Sequence, residues 1–396
     1  MRQSELFTKT RREAPADEIS VNAQLLARAG FIYKNSAGVY TFLPLGWRVI
    51  QKIAGIIREE MNAIAGQEIF MPALVEKKYW LATNRWDTPI GFRVQGLEDR
   101  VTSFTLGWTH EEVITEIASH FIRSLKDLPL AVYQIQTKFR NEARAKSGLL
   151  RGREFMMKDL YSFHSSQEDF ENYYQKVRRA YEKIFRRCGL KTIYTIAAGG
   201  AFTGSQTHEF QVISPVGEDM ILVCQKCRYA ENKEISQLKN SDPCPKCRGV
   251  VKKEPAIEVG NIFPLGTKYS AAFNLKNVIM GSYGIGLGRL MGAVVEVHHD
   301  QDGIIWPESV APYQIHLLEI GKAKARKIYQ DLQAKAVAVL YDDRPLAAGE
   351  KLKDADLLGL PIRAIVSEKT GAGKVEIRKR NQNKCSIISA KTLALI

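Results

Sequence analysis

The sequence lacks any long apolar stretch, although 45% of its 396 residues are hydrophobic. No window approaches the roughly 18 uncharged apolar residues from which a membrane-spanning helix is built. The first residues, MRQSELFTKTRREAP, are polar and charged and have no apolar segment of the kind found in secretory signals. We therefore expect a cytoplasmic protein without a membrane span, long enough for two or three domains.

Acidic residues are in short supply, because 43 Asp and Glu stand against 57 Lys and Arg and leave a formal net charge of +14. Cations spread over a surface supply the sequence-independent part of nucleic-acid binding. The excess therefore favours a polyanionic partner. A generally basic proteome would produce the same excess without such a partner.

Cysteine is also sparse, with six residues, of which four form the pairs Cys224/Cys227 and Cys244/Cys247. In a cytoplasmic chain two CxxC pairs indicate a metal site rather than disulfides. The spacing C-x2-C-x16-C-x2-C fits a zinc ribbon with four thiolate ligands. A reduced, metal-free remnant is the alternative. The surrounding segment 222–252 is rich in Cys, Lys and Asn, which predicts a small insertion.

Residues 130–164 contain the most informative pattern of the chain. From Leu130 to Glu142 polar and apolar residues alternate, which predicts a strand. A loop rich in Gly and cations follows, and REFMMKDLYSFH is again strand-like, so a long antiparallel hairpin is expected. The predicted polar face contains Gln134, Gln136, Lys138, Arg140 and Glu142. We expect that face to meet a charged ligand, with Arg140 as a rigid fork for phosphate, although a solvated run of charges would look the same.

Two shorter patterns accompany the hairpin. In GWTHEE, Thr109 and Glu111 place a hydroxyl and a carboxylate together, which suits an ammonium group, although helix capping explains them equally well. In MGSYGIGLGRL, a glycine turn should lead into a helix that presents Arg289 to a terminal phosphate. The motif fails as a dinucleotide fingerprint because Arg289 occupies the position of its third glycine. Close packing of a helix on a sheet is the alternative.

The remaining periodicity gives a coarse map of the chain. Apolar residues at helical spacing predict helices over 47–65, 111–126 and 167–188, and QEIFMPAL predicts a short strand that Pro72 stops. A domain boundary is expected at WPESVAPYQ, residues 306–314. Beyond it the pattern indicates a strand, a helix and two further strands, hence a small α/β domain.

Taken together, these elements resemble the class II aminoacyl-tRNA synthetases and, within them, prolyl-tRNA synthetases of the bacterial type. The segments that carry the resemblance occur in the family's order: FLPLGWRVIQKI, LGWTHEE, the hairpin, HEFQV, IEVGNIFPLGTKYS, MGSYGIGLGR and DGIIWPESVAPYQIHLLE. LYDDRPLAAGEKLKDADLLGLP resembles the family's anticodon-binding domain. The resemblance implies an α+β catalytic domain over 1–309, with an antiparallel sheet flanked by helices, and an α/β anticodon-binding domain over 310–396. It also implies a homodimer, through the helix near Gly66 and the strand up to Pro72.

The resemblance assigns roles to individual residues. Thr109 and Glu111 would hold the proline ammonium, and His208 would lie beside the proline ring unless it is a structural histidine. Arg140 would bridge the proline carboxylate and the ATP α-phosphate. Glu142 and Phe155 would hold adenine, and Arg289 would take the γ-phosphate. Arg140 and Arg289 are thus the expected catalytic residues, with ATP and Mg²⁺ as co-substrate and cofactor. The cations of residues 138–153 should surround the triphosphate.

The sequence departs from the family at several places. Bacterial relatives have a large editing domain between YAxNxE and EVGxIF, but here only Lys233 to Ala256 separates these motifs, which is too short for a domain. We therefore expect no editing within the chain, unless a free-standing protein supplies it. Trp108, Asn261 and Thr203 stand where the family usually has a small residue or Pro, a His and a Gly, and they bear on the shape of the amino-acid pocket.

The expected activity is a proline–tRNA ligase that forms prolyl-adenylate from L-proline and ATP and transfers the prolyl group to tRNA(Pro). A synthetase-like tRNA-binding or regulatory protein without ligase activity is the alternative from another class. Ligation of a different small amino acid, such as threonine or serine, is a third. The set Thr109, Glu111, Arg140, Glu142 and Arg289 argues against the second possibility, and the resemblance to the prolyl motifs argues against the third.

Overall fold

The computed structural model describes residues 1–98, 101–143, 145 and 147–393. The helices are α1 Val21–Arg28, α2 Pro44–Asn62, α3 Lys77–Ala82, α4 Glu111–Phe121, α5 Gln167–Arg187, α6 Lys268–Ala272, α7 Leu287–Val297, α8 Arg326–Ala334, α9 Ala348–Leu358 and α10 Ala390–Leu393. The strands up to the hairpin are β1 Ile32–Ser36, β2 Val39–Phe42, β3 Gln67–Glu68, β4 Leu74–Glu76, β5 Phe92–Val94, β6 Phe104–Leu106, β7 Leu130–Phe139 and β8 Glu154–His164.

The later strands are β9 Ile193–Ala197, β10 Thr207–Ile213, β11 Asp219–Cys224, β12 Ala230–Asn232, β13 Val251–Gly266, β14 Ile279–Gly286, β15 Ile315–Glu319, β16 Val339–Asp342, β17 Ile362–Val366, β18 Lys374–Lys379 and β19 Cys385–Ser389. The chain divides into two compact units, each discontinuous in sequence. The larger unit contains residues 36–39 and 54–293, and the smaller one contains 1–35, 40–53 and 294–396. Among the described residues, no helix combines the length and the apolar character needed to span a membrane.

A nine-stranded sheet dominates the larger unit, with the strand order β10-β9-β12-β11-β13-β14-β8-β7-β3. Its centre is antiparallel, because β7 pairs with β8, β8 with β14 and β14 with β13. A three-stranded sheet, β4-β6-β5, lies in the same unit. The antiparallel sheet with flanking helices confirms the expected α+β catalytic fold.

The predicted hairpin is confirmed, with Lys138 opposite Phe155 and Leu130 opposite Phe163. Its polar face, however, is not open to a large charged ligand along its whole length. Gln134, Gln136 and Lys138 are buried. Partners inside the protein satisfy the two amides, since Gln134 donates to Asp159 at 2.9 Å and Gln136 donates to the Met71 carbonyl at 2.8 Å. Arg140 lies just beyond the end of the strand, where the face opens.

Several predicted bounds were wrong for local reasons. Helix α2 begins earlier than expected, at Pro44, a residue that favours the first helical turn. It ends before Ala65, whose left-handed φ of 64° lets Gly66 donate to the Met61 carbonyl. The predicted helix over 111–126 stops at Phe121, because Ile122 is extended. The short strand after Gly66 covers only Gln67–Glu68.

The end of the larger unit follows the expected order with one difference. Strand β14 ends at Gly286 and helix α7 begins at Leu287, so no separate glycine turn lies between them. In the smaller unit a five-stranded sheet has the order β16-β15-β17-β18-β19. The predicted strand–helix–strand–strand pattern matches β16, α9, β17 and β18, while β15, α8 and β19 were missed. The division between residues 309 and 310 stays a prediction.

Candidate active site

A cavity of about 260 Å³ opens over the centre of the nine-stranded sheet. Strands β8, β13 and β14 supply its floor, the loop 198–202 forms one wall, and the N-terminus of α4 reaches its rim. Six of the residues singled out from the sequence line it: Thr109, Glu111, Arg140, Phe155, Asn261 and Arg289. Sequence positions 109 to 289 therefore converge on one space.

Glu111 is a carboxylate of this cavity that is only 1% exposed and is held by two hydroxyl donors. Thr109 Oγ1 donates to its Oε2 at 2.5 Å, and Ser282 Oγ donates to its Oε1 at 2.9 Å. It is also the first residue of α4, where the positive end of the helix dipole stabilises a negative charge. The two predicted roles of Thr109 and Glu111 are thus compatible, although His110, and not Thr109, occupies the N-cap position.

A buried cation behind Glu111 was missed by sequence reasoning. Arg85 is 5% exposed and lies in the turn after α3. Its Nη1 donates to Glu112 Oε1 at 2.8 Å and to Glu111 Oε2 at 3.3 Å. Its guanidinium also lies over the Trp108 ring, 4.2 Å from the centroid. Nothing in the local sequence marks this arginine, because its partners come from a helix more than twenty positions away.

Two arginines face the cavity, Arg140 from just beyond the end of β7 and Arg289 from helix α7. Arg140 Nε donates to the Trp108 carbonyl at 3.4 Å, and its guanidinium lies 5.4 Å from the centre of the Phe155 ring. Arg289 donates to the Leu150 carbonyl at 2.9 Å and to Glu258 at 2.7 Å. Burial, and then repulsion by Arg289, lower the pKa of Arg140. An anion between the two guanidinium groups would relieve that repulsion.

Two predicted ligands do not line the cavity. Glu142 accepts a hydrogen bond from Arg151 Nε at 2.8 Å and is absent from the cavity wall. The imidazole of His208 stacks on Tyr194, with ring centres 4.3 Å apart, and its Nδ1 lies 2.9 Å from the Tyr174 hydroxyl. Burial lowers the pKa of His208 to about 4. The described cavity therefore gives no support for a contact of His208 with a ligand.

The expectation that the cations of 138–153 surround a triphosphate is wrong for most of those described. Lys138 is fully buried, and its Nζ lies 2.9 Å from Asp159 Oδ1. Arg151 pairs with Glu142 and Glu218, both at 2.8 Å. Arg144 and Lys146 lie outside the described residues. Of the described cations in this group only Arg140 lines the cavity, because local acceptors hold Lys138, Arg151 and Arg153.

Three further carboxylates line the cavity and were not singled out from the sequence: Asp159, Glu209 and Glu258. Glu209 and Glu258 belong to the paired strands β10 and β13, and Asn261 Nδ2 donates to both, at 3.5 Å and 3.2 Å. Burial and the negative charge of Glu258 raise the pKa of Glu209 to about 8. Carboxylate oxygens are the protein ligands that Mg²⁺ prefers. Glu209 and Glu258 could therefore take part in holding a hard cation.

The four cysteines of the two CxxC pairs form one cluster in the same unit. All four Sγ atoms lie within 4.8 Å of one another, and the Cys224–Cys247 and Cys227–Cys244 separations are 3.5 and 3.6 Å. Four thiolates around Zn²⁺ at about 2.3 Å would be separated by roughly 3.8 Å. The backbone N–H groups of Cys227 and Lys226 lower the pKa of Cys224 to about 6, which favours its thiolate. The arrangement fits a tetrahedral metal.

The backbone at Gly249 leaves room for the sulfur atoms of this cluster. A Cβ added at Gly249 would lie 3.1 Å from Cys224 Sγ and 3.3 Å from Cys247 Sγ, so a side chain there would crowd the sulfurs. Cys224 pairs with Val251 at the point where β11 meets β13. Strand β13 then runs on to Glu258 and Asn261, so the cluster and the cavity share one strand.

Comparison with known families gives two matches along the chain. Residues 92–298 match the tRNA synthetase class II core domain (G, H, P, S and T), and residues 309–394 match an anticodon binding domain. The first match contains every cavity-lining residue named above.

Comparison with individual proteins points in the same direction. The chain is 35% identical to a proline–tRNA ligase of Geobacillus kaustophilus, over 96% of each chain. It is 34% identical to that of Bacillus subtilis, over 100% of this chain and 99% of the relative. Those alignments extend over 545 and 559 positions, far more than the 396 residues of this chain. Among solved structures, prolyl-tRNA synthetase of Cryptosporidium parvum, complexed with L-proline and AMP, matches with a TM-score of 0.76 at 19% identity, over 94% of this chain and 73% of that one.

Proposed function

The chain belongs to the class II tRNA synthetases and, among them, to the bacterial proline–tRNA ligases, and we propose that the cavity over its central sheet binds proline and ATP side by side. A proline carboxylate oxygen attacks the α-phosphorus, and the bond from that phosphorus to the bridging oxygen of pyrophosphate breaks. A 3′-terminal hydroxyl of tRNA(Pro) then attacks the carbonyl carbon of prolyl-adenylate, and AMP leaves. The observation that carries this proposal is the convergence of Thr109, Glu111, Arg140 and Arg289 on one cavity.

At the amino-acid end, Thr109 and Glu111 hold the ring ammonium of proline. Glu111 accepts from it, and Thr109 fixes the Glu111 carboxylate by donating to its Oε2. The geometry supports this because both carboxylate oxygens of Glu111 are fixed by hydroxyl donors before any ligand arrives. A fixed carboxylate loses little freedom on binding. We do not include His208, since Tyr174 and Tyr194 occupy its ring.

At the phosphate end, Arg140 bridges the proline carboxylate and the α-phosphate, and Arg289 contacts the terminal phosphate. Both arginines are already held by backbone carbonyls, so they stabilise developing negative charge without rearranging. Phe155 stacks on the base. Glu142 reaches adenine only after it releases Arg151.

Two metals fit the side chains that are present. Mg²⁺ bound with ATP would offset phosphate charge, and Glu209 and Glu258 are the carboxylates of the cavity placed to hold it. Zn²⁺ would bind Cys224, Cys227, Cys244 and Cys247. Four thiolates leave no open position, so that zinc would be structural and would tie the 222–252 insertion to the ends of β11 and β13.

The remaining parts of the proposal concern assembly and accuracy. We propose a cytoplasmic homodimer with a catalytic domain over 1–309 and an anticodon-binding domain over 310–396. The 24 residues from Lys233 to Ala256 hold part of the cysteine cluster and part of β13. Because this short segment already contains cysteines of the cluster and the start of β13, it favours a ligase without an editing domain of its own. A free-standing protein would then correct its errors.

Proline-dependent exchange of pyrophosphate into ATP tests the proposal, run with each amino acid in turn and with Mg²⁺. Exchange that requires proline is expected. A protein that binds tRNA(Pro) but exchanges with no amino acid would instead be a regulatory relative. Exchange with threonine or serine in place of proline would overturn the assignment of the amino-acid pocket.

A further inference from the structure

Two adjacent buried carboxylates begin helix α4, and their charges are unequally compensated. Glu111 and Glu112 are 1% and 0% exposed. Glu111 lines the cavity, and Glu112 is not among the lining residues. Burial of two like charges side by side is costly unless cations or donors offset them.

Arg85 is the cation that contacts both, and its geometry favours Glu112. The distances from its Nη1 are 2.8 Å to Glu112 Oε1 and 3.3 Å to Glu111 Oε2. Glu112 Oε1 also accepts from Thr83 Oγ1 at 2.7 Å. The planar guanidinium is held between aromatic rings, 4.2 Å from Trp108 and 5.2 Å from Phe202. The rings thus hold the guanidinium where its Nη1 reaches both carboxylates but lies nearer to Glu112.

Lys268 is exposed and donates to the Phe202 carbonyl at 3.2 Å, and the buried ionisable groups near Glu111 do not neutralise it. Lys138 is paired with Asp159, and burial lowers the pKa of His110 to about 4, which keeps its ring neutral near pH 7. Burial raises the pKa of Tyr161 and of Tyr269, so both phenols stay neutral as well. Arg140 faces Phe155 and is assigned above to the carboxylate and the phosphate. One negative charge remains at the ammonium end of the cavity.

We propose that Arg85 is a positioning residue that neutralises Glu112 and so leaves the Glu111 carboxylate as the single negative charge presented to the ammonium of proline. This inference rests on the proposed function. Without Arg85, the two carboxylates would share a proton, and Glu111 would carry only part of a charge. Without the charge of Glu112, Arg85 would pair with Glu111 instead. Removal of both the Arg85 charge and the Glu112 charge would restore a single negative charge on Glu111.

The test compares L-proline with (S)-tetrahydrofuran-2-carboxylate, in which an uncharged ring oxygen replaces the ammonium nitrogen. The ratio of their dissociation constants, measured by calorimetry, reports how much affinity depends on the positive charge. In Arg85→Met and in Glu112→Gln the ratio should fall by on the order of tenfold, as for coupled contacting groups. In the Arg85→Met/Glu112→Gln double variant the ratio of dissociation constants should return towards that of the wild type. In Arg85→Lys the ratio should stay close to that of the wild type.

Arg93→Met is the matched control, because Arg93 is exposed, has its only ion pair among the described residues with Asp87, and also lies over a tryptophan ring, 5.0 Å from the centroid of Trp86. The KM for ATP should stay within about twofold in all these variants. A merely structural role of Arg85 predicts a double variant at least as defective as either single variant, and that result would overturn the proposal. An unchanged ratio in Glu112→Gln would overturn it as well, even if Arg85→Met does not fold. Absence of proline binding by the wild type would instead refute the proposed function.

A second inference concerns the outer face of the cysteine cluster. Arg228 and Arg248 each follow the second cysteine of a CxxC pair, and both have left-handed backbones, with φ of 63° and 60°. Glycine adopts this conformation freely, whereas a long L side chain adopts it at a cost. Backbone positions where a residue other than glycine is held in a strained conformation often lie at functional sites.

The same two turns carry further cations. Lys226 and Lys246 precede the second cysteines, and all four cationic residues are exposed. Lys246 lies 4.9 Å from the Tyr229 ring. Among the described residues, no ion pair involves Arg228 or Arg248. Part of this positive charge would offset four thiolates around a divalent metal, but the two arginines project from exposed turns.

We further infer that these two turns bind RNA phosphates, namely those of the tRNA that the proposed function requires. Arginine recognises phosphate with a two-pronged contact, and such contacts carry no sequence information. The turns would therefore add affinity for tRNA and leave its selection to other parts of the chain.

The variant Arg228→Gly/Arg248→Gly removes both side chains and relieves both left-handed positions. Its melting temperature should equal or exceed that of the wild type, and its zinc content and its proline-dependent pyrophosphate exchange should be unchanged. Its affinity for tRNA(Pro) should fall several-fold, and the slope of log K against log salt should shrink by about two. A tRNA of another specificity should lose affinity to the same extent.

Lys176→Ala/Arg179→Ala, on the exposed side of α5, provides the control for a general loss of charge. If the glycine variant binds tRNA as the control variant does, with the same salt dependence, the inference is wrong. Because pyrophosphate exchange needs no tRNA, a failure here leaves the proposed adenylation reaction untouched, and a failure of exchange would be recognised separately.

Discussion

The guanidinium of Arg289 lies 2.7 Å from the carboxylate of Glu258 at the edge of the cavity. The two residues come from α7 and β13, and both side chains are about one-quarter to one-third exposed. Arg289, for which we propose contact with the terminal phosphate, is therefore held by an acid that a triphosphate would compete with. A metal bound to Glu258 would resolve that competition, because it attracts both the carboxylate and the phosphates.

Glu258→Gln should therefore raise the Mg²⁺ concentration needed for half-maximal pyrophosphate exchange. The amide can still accept from Arg289 but binds a hard cation poorly. A Mg²⁺ titration at fixed ATP and proline measures the effect, with Glu218→Gln as a control, since Glu218 pairs with Arg151 outside the cavity. An unchanged Mg²⁺ requirement would remove Glu258 from the proposed metal site.

Arg140→Ala should lower the rate of proline activation by about 10²–10³ while the fold remains intact, because a preorganised charge partner of the reacting phosphate is lost. Pyrophosphate exchange gives the rate, and a melting curve checks the fold. Arg151→Ala serves as the comparison, since Arg151 belongs to the same hairpin loop but pairs with Glu142 and Glu218. Near-normal exchange by a folded Arg140→Ala protein would contradict the assigned role.

Purified protein should contain one Zn²⁺ per chain on the four clustered cysteines. Elemental analysis of protein prepared without added metal measures the ratio, and thiol titration shows which cysteines are protected. Cys385 is exposed and outside the cluster, so it should react freely. A ratio near zero with all four cluster thiols reactive would mean that the site holds no metal.

Stability should depend on pH through Glu209. Its pKa is raised to about 8 in the folded protein, first by burial and then by Glu258, whereas an unfolded chain gives it an ordinary value near 4.3. Between these values the folded protein binds more protons than the unfolded chain, so the free energy of unfolding falls as the pH rises through this window. The Glu209→Gln variant lacks this loss.

The difference in melting temperature between Glu209→Gln and the wild type should therefore grow in favour of the variant from pH 6 to pH 9. Differential scanning calorimetry without ATP or divalent metal makes the comparison. A difference that is independent of pH would show that Glu209 is ionised across the whole range.

Alanine should be mischarged and not removed. It carries the same ammonium and carboxylate as proline and is smaller, so the pocket can discriminate only through lost apolar contact. Alanine lacks two ring carbons of proline, and each missing methylene accounts for about 1–3 kcal/mol, or roughly 10–200-fold. Decay of alanyl-tRNA(Pro), followed with and without the protein, should show equal rates. Rapid hydrolysis that depends on the protein would reveal an editing site outside 233–256.

The sequence was most informative where function depends on short, ordered motifs. The hairpin, Arg140 and the strand–helix junction before Arg289 could be placed because alternation and motif order determine them. Arg85 could not, since its role arises from packing against Glu112, Trp108 and Phe202, which only the folded chain brings together.

Lys138 shows the opposite failure. Strand alternation placed it correctly on the face that bears Arg140, but alternation does not tell where a face is covered. Asp159 from the neighbouring strand neutralises Lys138 within the sheet, and the opening begins only two residues further on. Glu142 and His208 were likewise assigned by motif, and local partners hold both away from the cavity.

The junction between Cys224 and Val251 has a consequence for engineering. The chain leaves β11 and re-enters β13 at directly opposed positions of one antiparallel pair, so the ends of the intervening segment are about 5 Å apart. Strand β12 lies within that segment and pairs with β9 and β11, so a grafted module leaves the sheet beneath the cavity intact only if it retains Ala230–Asn232. Under that condition the junction can accept self-contained modules of different size whose own termini lie close together.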